Sequence, residues 1–140
     1  HKQFHWLYFI KYGKMINKIY NYIKNSKQID QRVTMIAIIT KNGRVLSIGH
    51  NDKNRLSFPF KHKNGYSDLS GIHAEVDSIR KCFKSQLKGA TITVIGINTR
   101  SGNMVLSKPC ISCMNAIKEV GIKRIIYFDK DGKKYIERIK

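Results

Sequence analysis

Acidic residues are scarce in this chain. Nine Asp and Glu stand against 27 Lys and Arg, for a net charge of +18. The deficit points to anionic partners, because such a surface concentrates phosphates, nucleotides and nucleic acids around itself. An AT-rich genome also enriches Lys, Ile and Asn, so charge alone leaves the partner open. Cysteine is scarce too. Three residues are an odd number, and two of them form Cys110-Ile111-Ser112-Cys113. That makes a poor disulfide framework and a good metal motif, and implies a reducing, cytoplasmic compartment. No apolar run approaches the roughly 20 residues needed to span a membrane. Residues 4–10 are apolar but short, and no small-residue cleavage site follows, so they do not read as a signal peptide. Internal repeats are missing, and 41% hydrophobic residues in a 140-residue chain suffice for one ordinary core.

The chain does not begin with Met. Met15 is a candidate start, which would make residues 1–14 an extension, native or not, and residues 15–140 one domain. Ile16, Ile19, Tyr20 and Ile23 recur at helical spacing and predict an amphipathic helix over about 15–25. The run 33–40 (VTMIAIIT) is β-branched and almost continuously apolar, as buried strands are. Asn42-Gly43 then signals a two-residue hairpin into a second strand, 44–49. Residues 50–70 read as a long loop, a length that is usually functional. A helix is expected from 70–73 to Phe83, with Ile72, Val76 and Ile79 buried. A strand follows over 90–98. Pro109 opens another helix, with Ala116, Ile117 and Val120 inward and Gly121 ending it. Strands at 123–129 and 134–139 flank an Asp131-Gly132 turn. The order α-β-β-α-β-α-β-β implies an α/β fold with one mixed sheet of about five strands and helices on its faces.

Two short motifs carry the chemistry: Ile72-His73-Ala74-Glu75 and Pro109-Cys110-Ile111-Ser112-Cys113. Each opens a predicted helix. Cys110 and Cys113 are three apart, so their sulfurs share one face of one turn. Thiolates are further favoured at a helix N-terminus. His73 makes three protein ligands for Zn²⁺ and leaves one position open, the mark of a catalytic zinc. A closed four-ligand site would need another donor. Cys82 lies nine residues beyond His73 on the same predicted helix, about 13 Å along its axis, and cannot join it. His50 and His62 stay open as alternatives. Glu75 is two residues from His73, and only a first helical turn lets both face one pocket. A carboxylate beside the ion but not bound to it can move protons. A solvated glutamate is the bland alternative.

With these motifs on the page, the chain resembles the zinc-dependent cytidine/deoxycytidylate deaminase superfamily, whose signature is H-x-E…P-C-x-x-C. The resemblance spans about residues 33–132. It implies the three-layer α-β-α cytidine-deaminase fold and hydrolytic replacement of a nucleobase amine by a carbonyl. In that reaction Glu75 takes a proton from the attacking water and passes it to the ring nitrogen. Gly49-His50-Asn51 is similar to the family's G-x-N segment, which makes Asn51 a substrate-binding candidate; Ala74 joins it. The expected substrate is cytosine in a deoxycytidylate-like nucleotide. One alternative is a cytosine or adenine deaminase of single-stranded DNA or RNA. Lys53 and Arg55 would then track phosphates while Phe58 and Phe60 stack bases. The other is a non-catalytic, zinc-stabilised nucleic-acid-binding module, which would not need Glu75. The tight turn before the last strand favours the small nucleotide. No membrane partner is expected, and a homo-oligomer is left open.

Overall fold

The computed structural model describes residues 21, 33–52 and 72–139. The helix expected over 15–25, apart from Asn21, and the loop residues 53–71 lie outside them. Six strands form one sheet: β1 (Val33–Lys41), β2 (Arg44–His50), β3 (Thr91–Asn98), β4 (Met104–Val105), β5 (Arg124–Phe128) and β6 (Lys134–Arg138). Their spatial order is β2-β1-β3-β5-β6, with β4 pairing β3 on the side. Asn42 and Gly43 both adopt positive φ, 52° and 78°. That is the backbone a two-residue hairpin between twisted strands requires. Every pairing is antiparallel except β3 with β5. A parallel pair needs a crossover, and α3 (Ile111–Glu119) lies on it.

Two other helices are α1 (Ala74–Arg80) and α2 (Lys84–Leu87). The single helix expected to Phe83 is therefore two pieces. The chain leaves α1 at Lys81, whose N–H donates to the Ser78 carbonyl while the Cys82 N–H donates to that of Ile79. Gln86 Oε1 then accepts the Phe83 N–H at 3.1 Å, a local bond that starts α2. β4 was not expected, because a two-residue strand carries no alternation to read.

The sheet is apolar on both faces. Ala37, Ile39, Ile92, Val94, Ile125 and Tyr127 form one, and residues of α1, α2 and α3 pack on it. Ile36, Ile38, Ile95, Ile97 and Phe128 form the other and are equally buried. Strands covered on both faces read as continuous apolar runs, which is why β1 was legible.

Candidate metal centre and its pocket

α1 approaches β2 closely enough to exclude a side chain. A Cβ on Gly49 would lie 2.4 Å from the Ser78 nitrogen and 2.5 Å from the Ala74 oxygen. Bonds on either side hold the approach. Ser47 Oγ donates to the Ser78 carbonyl at 2.7 Å, and Lys81 Nζ donates to the Ile48 carbonyl at 3.0 Å. Fully buried Asp77 accepts the His50 N–H at 3.1 Å and pairs with Lys81 Nζ at 3.0 Å. A charge-assisted bond to a buried carboxylate is among the stronger ones. It fixes the rotation of α1, and so the direction of the residues at its start.

α3 is held from the opposite side by Ser107, which is 1% exposed. β3 and β5 pair in register from Thr91 with Arg124 to Thr93 with Ile126. Beyond that point Ser107 links them. Its Oγ donates to the Val94 carbonyl at 2.7 Å and accepts the Phe128 N–H at 2.9 Å. Its own N–H donates to the Phe128 carbonyl at 2.9 Å. The segment leading to Pro109 and Cys110 is thus clamped at the C-terminal end of β5, just beyond its parallel pairing with β3. Open α/β sheets place their ligand crevices at such ends.

The two helix starts meet there. His73 is the N-cap of α1 and Cys110 the N-cap of α3, both with extended backbone and neither side chain capping its helix. The side chains face each other instead. His73 Nδ1 is 3.6 Å from Cys110 Sγ and 3.4 Å from Cys113 Sγ. A tetrahedral zinc with ordinary bond lengths would space sulfur and nitrogen about 3.5 Å apart. All three donor atoms lie within 4.8 Å of one another, the one such cluster of metal-binding side chains among the described residues. Two thiolates and an imidazole suit Zn²⁺, so donor set and spacing fit the ion.

Electrostatics agree. Hydrogen bonds from Cys113 and His73 bring the Cys110 thiol down to about 4, so it is a thiolate at neutral pH. The His73 imidazole is pushed up, chiefly by its bond to Cys110. Glu75 is the second residue of α1 and 6% exposed. Loss of hydration raises its carboxyl pKa, opposed by backbone bonding and by the His73 charge.

His73, Ala74, Glu75 and Cys110 line a cavity of about 210 Å³ together with Met35, Asn51, Ser107 and Lys108. Asn51 stands in its wall with both side-chain arms engaged. Oδ1 accepts the Met35 N–H at 2.9 Å and Nδ2 donates to the Val33 carbonyl at 3.0 Å. His50 turns away, its Nδ1 3.1 Å from the Asn51 carbonyl oxygen. Cys82 donates to Ser47 Oγ at 3.2 Å and stays apart from the donor cluster. His62, Lys53, Arg55, Phe58 and Phe60 lie outside the described residues. Sequence reasoning missed Ser107, Lys108 and Met35. Ser107 and Lys108 stand two and one residues before Pro109, close enough to the motif to have been suspected.

Known proteins resemble this chain. A deoxycytidylate deaminase of Mycobacterium phage D29 is 29% identical over 112 residues, covering 69% of this chain and 79% of that protein. Two crystal structures of the dCMP deaminase of cyanophage S-TIM5 are also similar. The apo form has a TM-score of 0.47 at 20% identity and covers 80% of this chain and 75% of that one. The form with dCMP and dUMP has a TM-score of 0.48 at 21% identity and covers 83% and 78%. The family model for the cytidine and deoxycytidylate deaminase zinc-binding region matches residues 11–129, well over half of the chain. With that match and the His73, Cys110 and Cys113 cluster, this chain belongs to the zinc-binding cytidine and deoxycytidylate deaminase family and is a hydrolytic deaminase.

Proposed function

We propose that this chain converts the cytosine amine of a deoxycytidylate-like nucleotide to a carbonyl, in a single domain spanning residues 15–140. In this reading His73, Cys110 and Cys113 hold Zn²⁺ and Glu75 moves the protons. The observation that carries it is a cluster of three zinc donors, two of which, His73 and Cys110, line one cavity with the buried carboxyl of Glu75. The D29 relative supports the choice of nucleotide. When bound, the ion supplies the Lewis acidity that makes water nucleophilic near neutral pH.

The chain's own residues do the rest. Glu75 takes a proton from the water that adds to the amine-bearing carbon. It returns that proton to the ring nitrogen, and a further transfer to the amine accompanies cleavage of the carbon–nitrogen bond and release of ammonia. Its raised pKa suits a group that must both accept and donate, since a carboxyl poised nearer neutrality is useful in both directions. Ala74 is fully buried, and its small side chain between His73 and Glu75 leaves room for a flat ring. Asn51 bounds the ring's other side, held by β1.

The test is direct. Zinc-loaded protein is incubated with dCMP, CMP, deoxycytidine and single-stranded oligonucleotides, and ammonia and uracil products are followed. Turnover of a mononucleotide supports the proposal. Turnover of oligonucleotides alone would replace it, and would turn attention to Lys53, Arg55, Phe58 and Phe60.

A further inference from the structure

Lys108 is the one cation in the cavity wall among the described residues, apart from His73. Its ammonium lies 3.9 Å from Glu137 Oε1, the far limit of an ion pair, with both side chains substantially exposed (52% and 38%). Glu137 belongs to β6 and is itself fixed, because the Tyr127 hydroxyl donates to the same Oε1 at 3.2 Å. Lys108 is therefore a cation at the pocket rim, loosely held by an anchored carboxylate. Exposed pairs of this kind contribute little and are readily exchanged. The backbone of Lys108 is not loose: Ser107 before it is clamped between Val94 and Phe128, and Cys110 after it starts α3. Only its side chain has freedom, on a residue that lines the cavity and whose ammonium reaches out to Glu137.

We infer that Lys108 is the substrate-phosphate ligand of this site, exchanging Glu137 in the empty enzyme for the phosphate of the bound nucleotide. The inference rests on the nucleotide reading above and deepens it by naming the residue that reads the charge. A phosphate dianion is a better partner than a carboxylate 3.9 Å away, and ammonium-to-phosphate bonds are charge-assisted. Glu137 would act as a counter-charge that competes with substrate and discourages other anions from settling at the rim.

The two members of the pair should then move substrate affinity in opposite directions. A merely structural ion pair would move it the same way from either side. The experiment uses zinc-loaded enzyme with dCMP and deoxycytidine as paired substrates. In Lys108→Gln the KM for dCMP should rise by about tenfold to a hundredfold, the loss of one charge-assisted bond. kcat should change less, and the preference for dCMP over deoxycytidine in kcat/KM should fall by at least about tenfold. Glu137→Gln keeps an acceptor for Tyr127 and frees the ammonium, so the KM for dCMP should fall by about twofold to threefold, a partner change worth only as much as an exposed pair. If Lys108→Gln leaves the dCMP preference intact while the wild type deaminates dCMP, the inference alone is overturned. If both variants raise KM, the pair is structural and the inference is likewise wrong. If the wild type deaminates no mononucleotide, the nucleotide reading falls and this inference with it.

Discussion

Gly49→Ala tests whether the meeting of α1 and β2 sets the active centre. The added Cβ would stand 2.4 Å from Ser78 N, 2.5 Å from Ala74 O and 3.0 Å from the Asp77 carbonyl carbon. All three are backbone atoms of the helix, so no side chain can swing aside. Ordinary contact begins near 3.4 Å, and α1 must therefore back away by about 1 Å. Overpacking of this kind costs about 1–3 kcal/mol. The larger effect is on position. His73 and Glu75 move with the helix, whereas Cys110 and Cys113 stay with Ser107 and α3. A metal site tolerates only about 0.2 Å in its bond lengths, and a reacting group displaced by about 1 Å can lose about 10²-fold in rate. The assay is kcat/KM with dCMP, zinc content after gel filtration, and a thermal melt. Gly121→Ala is the control. Gly121 has φ +86° with its nearest neighbour atom 3.4 Å away, so alanine there costs about 1–2 kcal/mol in backbone strain, far from the pocket. The expected result is that both variants lose stability but only Gly49→Ala loses activity and zinc. Wild-type activity and zinc content in Gly49→Ala would refute the argument that this contact sets the centre.

Cys113→Ala should leave the purified protein with far less than one zinc per chain by metal analysis, because a buried thiolate donor is gone and the remaining pair cannot close the site. Ser107→Ala removes a donor to Val94 O and an acceptor of Phe128 N–H. It should cost about 1–3 kcal/mol in a denaturant melt, since a buried backbone group is left unpaired, and should lower zinc affinity through the loosened approach to Cys110. Glu75→Gln should keep zinc and fold while lowering kcat by about 10⁴-fold, the upper end for a general acid–base group. The same variant, stripped of metal, should be more stable than stripped wild type at neutral pH. The raised Glu75 pKa means that the folded state holds its proton more tightly than the unfolded one, a stabilisation present below the unfolded value and lost as pH rises through the folded one. The gap between variant and wild type should therefore open with rising pH in paired melts, and a gap that closes instead would contradict the sign.

The ease of reading this chain varied with how local the governing physics is. His73, Glu75, Cys110 and Cys113 were legible because metal chemistry restricts residue type and helix starts restrict spacing, so a few positions carry the whole signal. β1 was legible because burial on both faces leaves eight apolar or β-branched residues in a row. The hairpin was legible because Asn42 and Gly43 both need positive φ. What escaped is what depends on distant partners. Nothing near Ser107 in the chain reveals that Val94 and Phe128 will bracket it. Nothing beside Asp77 in the chain shows that it is fully buried and joins β2 to α1 through His50 and Lys81. The break between α1 and α2 escaped because Ile79, Cys82 and Leu87 all pack inward and sustain an apolar pattern across the interruption. Lys108 shows the same limit from the side of function. Among 27 basic residues only its nearness to Pro109 sets it apart in the sequence, and its pairing at the rim exists only once β6 has folded back to put Glu137 beside it.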